Sequence, residues 1–364
     1  MSRSTSGKSK PLQAEIQLSS VGKPARAVTI KDIAVLLQMN HSTVSRAMND
    51  KSHVSESTKR RVREAADNLG YIANFSAKMI RGDIRPLIGL VVPDICNDFY
   101  SSISKELAER CRESGLRMLL AITGDNPEIE MNEIRTFLEA RVSGVIATLT
   151  NQPLPVTLKL LKNLPSVQLI RQIPTLNKSI VCMEDVKGCQ SATKHLLELG
   201  HKRIAYVGTS KEISTGNDRL KGYLQAHHVE NILPLKEGVE LVPPHQTYGF
   251  SGVSRVLAAK PTAIVIGSSE LTIGGLKAIY DAGLKIPDDI SIVGYGDPVW
   301  FNLLSPPLTA VGLPVNALAD AAAHQLFSQI NEAKMGKELP TSNTRIMPRL
   351  VLRGSTAPPR LSID

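Results

Sequence analysis

TIKDIAVLLQMNHSTVSRAMNDKSHVSESTKRRVREAADNLGY, residues 29–71, opens a stretch running to Ile80 whose apolar spacing and capping residues predict three short helices. Thr29 and Asp32 stand at capping-box spacing, where hydroxyl and carboxylate can satisfy free amides at a helix start. Ile30, Ile33, Ala34 and Leu37 then recur on one helical face. Asn40 is placed to cap a second helix, His41–Met48, with Val44 and Met48 turned inward. Ser55 is placed to cap a third, packed through Val62, Ala65, Ala66 and Leu69.

The face of the second helix left outward carries His41, Ser42, Ser45 and Arg46, a set suited to nucleic acid. Arg46 can pair bidentately with guanine O6 and N7, and His41 and Ser42 sit at the helix start, where base edges are reached. Thr43, Ser45, Asn49 and His53 are donors suited to phosphate oxygens, which fix register without reading sequence. A small helical bundle with incidental Ser and Arg on its surface has the same local pattern, so this stretch alone leaves both readings open.

Charge distribution favours a polyanionic partner for this end of the chain. The 364 residues carry a formal net charge of +9. Residues 1–28 hold five Lys/Arg against one acid, and residues 29–85 hold ten against six, which leaves the rest nearly neutral. Residues 1–28, rich in Ser, Lys and Pro, read as a flexible basic arm. No secretory signal or membrane-length apolar run is present, and the expected location is cytoplasmic, nucleoid-associated when on DNA. Cys96, Cys111, Cys182 and Cys189 form no CxxC pair and no metal-spaced cluster, and read as free thiols in a reducing compartment.

Beyond Pro86 the pattern changes. Short β-rich runs recur at 87–92, 117–122, 144–149, 166–170, 203–208, 263–267 and 291–295. Amphipathic segments such as 100–114, 127–140, 187–199, 251–259 and 271–283 lie between them. Alternation of this kind predicts parallel, doubly wound sheets, and so many units over one body predict two lobes with a cleft between them. The expected fold is therefore an N-terminal all-α helix-turn-helix head (29–72), a connector (73–85), a two-lobed α/β body (86–354) and a short tail (355–364).

The ordered set TIKDIA, STVSRAMN, SHVSESTKRRV, IGLVVPDICNDFY (88–100), HLLELGHKRIAYVG (195–208), RLKGY (219–223), GLKIPDDISIVGYGD (283–297) and SPPLTAV (305–311) closely resembles the lactose-repressor/galactose-repressor (LacI/GalR) family. The resemblance covers nearly everything from Thr29 to Gly354. It implies a DNA-binding transcriptional regulator, a repressor, with a periplasmic-binding-protein-like body that binds a small effector. In the head it adds Thr29 and Tyr71 to the DNA-contacting set. It also implies a hinge helix over Asn74–Arg81, in which Asn74 is the cap, Ala77 and Lys78 face DNA and Ile80 is the minor-groove wedge. Two departures stand out: Gln38 replaces the family's turn Gly, and Ala73 replaces the frequent Pro before the hinge.

In the body, the resemblance implies effector contacts from Phe99, Tyr100, Arg219, Ser269, Glu270 and Asp297. Trp300, the single Trp, is a further candidate because it lies at the C-terminal end of a strand, where ligands collect. Asp297 is displaced by Gly296 from the family's usual Asp position. Arg219 together with this displacement points to a sugar or sugar acid, with Arg219 on its carboxylate and Trp300 over its apolar face. Without a Leu heptad after the last strand, a homodimer on a pseudo-palindromic operator is expected rather than a coiled-coil tetramer. No catalytic residue, cofactor or metal is expected, because no GxGxxG, Walker loop, GxSxG or paired Cys/His site occurs. The alternative is a solute-binding or sensory protein without DNA function. That alternative calls for an export signal and no head.

Overall fold

The computed structural model describes residues 28–51, 53–71 and 86–360. The chain divides into two compact units, Met1–Ile84 and Arg85–Asp364. The expected basic arm up to residue 27, and the hinge with Asn74, Ala77, Lys78 and Ile80, lie outside the described residues.

The head contains α1 (Ile30–Leu37), α2 (His41–Met48) and α3 (Glu56–Asn68). Each begins at the residue that local chemistry marks. The Asp32 carboxylate accepts from the Thr29 amide and hydroxyl, both at 2.7 Å. The Asn40 side chain accepts from the Ser42 amide, and Ser55 from the Thr58 amide. Ile33, Ala34, Val44, Ala47, Val62, Ala65 and Ala66 close a small shared core, with Met48 and Leu69 at its margin. Between α2 and α3 an ion network holds the loop. Lys59 Nζ lies 2.9 Å from Asp50 and 2.7 Å from Glu56, and Arg63 lies 3.2 Å from Asp50. The hydrogen bond and charge of Lys59 hold the Asp50 carboxyl below its ordinary pKa.

The turn between α1 and α2 keeps the conformation a glycine would supply. Gln38 sits in the left-handed region at φ 52°, ψ 39°, its amide donating to Ala34 and Val35 carbonyls. The turn is therefore strained at this residue and not reshaped around it.

The body has two six-stranded sheets. The N-lobe sheet runs β11-β5-β4-β3-β1-β2: β1 Leu87–Val92, β2 Arg117–Ile122, β3 Gly144–Ala147, β4 Ser166–Leu169, β5 Ser179–Met183 and β11 Asn343–Ile346. All its pairings are parallel. The C-lobe sheet runs β12-β10-β9-β8-β6-β7: β6 Ile204–Gly208, β7 Val239–Leu241, β8 Ala263–Ile266, β9 Ser291–Tyr295, β10 Thr309–Gly312 and β12 Arg349–Val351. Only β12 pairs antiparallel, with β10. The chain passes between lobes after β5, after β10 and again between β11 and β12, so three crossings join them.

Strands such as β1, buried at every position, explain the continuous apolar runs in the sequence. N-lobe helices α4 (Asp98–Glu113) and α11 (Val315–Lys334) pack on one another, as do α5 (Pro127–Glu139) and α6 (Pro155–Lys162). In the C-lobe, α7 (Asp185–Glu198) pairs with α8 (Ser214–Val229), and α9 (Gln246–Leu257) with α10 (Ser269–Asp281). The last pair is close enough to require glycine: a Cβ on Gly274 would stand 1.8 Å from the Gln246 carbonyl oxygen. Ser355, placed by the sequence in the tail, is buried and bonded to Ile292 and Thr309 of the C-lobe.

Candidate DNA-reading face and interlobe cleft

On α2 the groups aimed outward are uncommitted. His41 and Arg46 are exposed and make no side-chain hydrogen bond or ion pair among the described residues, and His53 is likewise exposed. Ser42 is exposed, its hydroxyl 3.3 Å from the Asn40 side chain. Thr43 and Ser45 are half-buried at the edge of the same face, and Asn49 Nδ2 donates to the Ser45 carbonyl at 2.6 Å. Thr29 is engaged with Asp32, and Tyr71 packs on the head core. The helix thus offers His41, Ser42 and Arg46 to an outside partner while its buried face is spent on Val44 and Ala47.

The body holds a cavity of about 470 Å³ between the lobes, formed where the parallel strands end. Phe99 and Tyr100 reach it from α4, and Arg219 from the second turn of α8. Ser269 enters from the start of α10. Glu270, Asp297 and Trp300 do not line it. The Glu270 carboxylate accepts from Gln246 Nε2 at 3.3 Å, and Asp297 pairs with Arg353 at 2.8 Å. The Trp300 indole N–H donates to the Asp98 carboxylate at 3.1 Å and its ring meets Phe301 edge-on.

Arg219 does not stand free in the cavity. Its Nε donates to Asp185 at 2.8 Å, its Nη1 to the Gly267 carbonyl at 2.8 Å, and its guanidinium lies 4.0 Å over the Tyr295 ring. The Tyr295 hydroxyl donates to the same Asp185 oxygen at 2.5 Å. Burial alone would weaken the Arg219 charge; Asp185 and Tyr295 outweigh it and hold the pKa above its ordinary value.

A second guanidinium faces the cavity from the N-lobe. Arg171 follows β4 and forms a bidentate pair with Asp125, its Nη2 at 2.9 Å from Oδ2. The turn that aims it is strained: Ile170 has φ 65°, rare for a β-branched residue, and the Arg171 amide donates to Leu169 two residues back. Arg171 and Asp125, with Tyr295 and the Arg219 partner Asp185 behind the cavity wall, are among the site residues that sequence reasoning does not reach. For Arg171 the local signal is a charged residue two positions after an apolar strand.

Among the described residues no group of His, Cys, Asp and Glu is arranged to hold a metal, and no helix is long and apolar enough to cross a membrane. Cys111, Cys182 and Cys189 are buried, which pushes their thiols up to about 11, 11 and 12; Cys96 alone is exposed.

Comparison with known proteins ties the two sites together. Residues 29–74 match the model for bacterial regulatory proteins of the lacI family, and residues 193–356 that for a periplasmic binding protein-like domain. The chain is 30% identical over 337 residues to the HTH-type transcriptional regulator DegA of Bacillus subtilis, covering 91% of this chain and 98% of that protein. It is 27% identical over 336 residues to the HTH-type transcriptional regulator GalR of Escherichia coli, covering 92% and 97%. Among solved structures, the lac repressor dimer bound to operator and an anti-inducer matches with a TM-score of 0.75 at 25% identity, covering 91% of this chain and all of that one.

Proposed function

Because the chain belongs to the LacI family of bacterial regulatory proteins and is a DNA-binding transcriptional regulator, we propose that its operator affinity is set by a small neutral sugar held between the lobes. The observation that carries this is the charge balance of the cleft. Each guanidinium facing the cavity already has a carboxylate of its own, Asp185 for Arg219 and Asp125 for Arg171. A ligand carboxylate on either would make a second anion share one buried cation, a desolvated arrangement without compensation. Vicinal hydroxyls, by contrast, can accept from the remaining Arg N–H groups and donate to Asp125, which lines the cavity. Phe99, Tyr100 and Tyr295 supply apolar faces. This favours a neutral sugar over a sugar acid.

At the head, Arg46, His41 and Ser42 read base edges, while Thr43, Ser45, Asn49 and His53, with Thr29 and Tyr71, fix the backbone. Asn74, Ala77, Lys78 and Ile80 serve as the DNA-bending hinge in this scheme. A homodimer presents two heads to a pseudo-palindromic operator in the cytoplasm, and the protein performs no catalysis. The lac repressor dimer seen on its operator supports the dimeric, DNA-bound part of this scheme.

Isothermal calorimetry against neutral monosaccharides, sugar acids and nucleobases tests the ligand class. Binding of a neutral sugar, lost on Arg219→Met, is expected. Binding confined to sugar acids or purines overturns the assignment.

A further inference from the structure

We propose that Trp300 is a positioning residue: through Asp98 it clasps the C-lobe to the first turn of α4 and so holds the aromatic wall of the cleft in place. Trp300 belongs to the 3-10 turn Val299–Leu303 after C-lobe strand β9, and Asp98 is the first residue of N-lobe helix α4. Their 3.1 Å hydrogen bond crosses from one lobe to the other. Phe99 and Tyr100, which line the cavity, directly follow Asp98, and their rings meet edge-on with centroids 5.2 Å apart. Whatever fixes Asp98 also fixes these two rings.

A second interlobe bond works in parallel. The Gln172 amide donates to the Ser214 hydroxyl at 3.0 Å, joining the residue after Arg171 to the first residue of α8. In each sheet one strand separates the two attachment points: β3 lies between β1 and β4, and β8 between β6 and β9. The lobes are thus tied at two places along the cleft, and each tie abuts a cavity-lining side chain.

The Trp300 tie has opposition to overcome. Glu270 on the C-lobe rim feels the charges of Asp94 and Asp98 on the N-lobe rim. Closure gathers like charges at the mouth, and the indole N–H supplies a donor directed at one of them. Trp300→Phe removes that donor together with part of the ring, whereas substitution at Asp98 leaves the indole intact. At a partly exposed site, a hydrogen bond to a carboxylate is expected to shift closure by roughly three- to tenfold.

The chain carries its own probe. Trp300 is the single tryptophan, and Cys96, two residues before Asp98, is the one exposed cysteine of four. Labelling Cys96 with an AEDANS acceptor reports lobe closure by energy transfer from Trp300. Full-length protein with wild-type Asp98 and with Asp98→Asn, whose amide oxygen still accepts, is expected to give high transfer, and Asp98→Ala a marked fall. Equal transfer in all three, or an equal fall in both variants, overturns the clasp. The effect on ligand affinity rests on the cleft being the effector site, but energy transfer needs no ligand, so failure of the clasp and failure of that assignment are told apart.

Discussion

Replacing Gln38 by glycine should stabilise the head. Gln38 holds φ 52° and ψ 39°, a region that costs an L-residue roughly 1–2 kcal/mol relative to the right-handed helix. Its side chain is exposed and has no partner among the described residues, while the capping hydrogen bonds to Ala34 and Val35 use the backbone and survive the change. Glycine also gains freedom in the unfolded chain, which returns about 0.4–1 kcal/mol of that benefit. The net expectation for Gln38→Gly is about 0.5–1 kcal/mol of added stability. Native-state hydrogen exchange on the full-length protein reads this directly. Amides of Ile33, Val44 and Val62, at the core of the three helices, should gain roughly two- to fivefold in protection, while amides of the body stay unchanged. Gln38→Val, β-branched at the same angles, should lose protection. Protection in Gln38→Gly at or below the wild-type level refutes the view that this turn is strained.

Other expectations follow from the two sites. Arg46→Ala should cost roughly 1–3 kcal/mol of operator binding and relax preference at one base pair, measured by anisotropy on substituted duplexes. A uniform loss across all duplexes would instead make Arg46 a phosphate contact. Asp185→Ala should destabilise the body by about 3–5 kcal/mol in urea unfolding, because it strands the Arg219 guanidinium and the Tyr295 hydroxyl in a buried setting; a change within 1 kcal/mol by the same assay would contradict the network. Glu270 titrates above its ordinary range, through burial first and then through Asp94 and Asp98, with Gln246 and His245 opposing. Its protonated form is the one favoured by closure, so transfer from Trp300 to the Cys96 label should rise as pH falls through that raised pKa and decline as pH rises. Glu270→Gln should flatten this dependence, and an unaltered slope in that variant would refute the cause.

Much of the fold is legible because its determinants are local. Thr29, Asn40 and Ser55 mark helix starts within one turn of themselves, and the runs at 87–92 and 291–295 coincide with β1 and β9 because these parallel strands are buried on both faces. The run at 117–122 coincides with β2, an edge strand that keeps its apolar run although mostly half-buried or exposed. The runs do not include β5, β10 or β12, nor β7, three residues long, nor β11, whose sequence NTRI carries little apolar signal and whose place depends on the chain returning to the N-lobe. The site divides the same way. Arg219 lies inside a motif that identifies it. Its partner Asp185 is 34 residues away, and the Arg171–Asp125 pair spans 46, so only the folded chain brings these charges together. Trp300 shows the limit from the other side: its type suggests a ligand face, yet its indole N–H is committed to Asp98.

The central claim is that the cleft and the DNA-reading head are energetically linked. The most direct measurement is the affinity of the full-length protein for an operator duplex selected from random sequence, with and without a saturating concentration of the sugar that calorimetry identifies. Linkage predicts a change of about 5–150-fold, equivalent to a coupling of roughly 1–3 kcal/mol, that is lost in Arg219→Met. Identical operator affinity with and without bound sugar would contradict it.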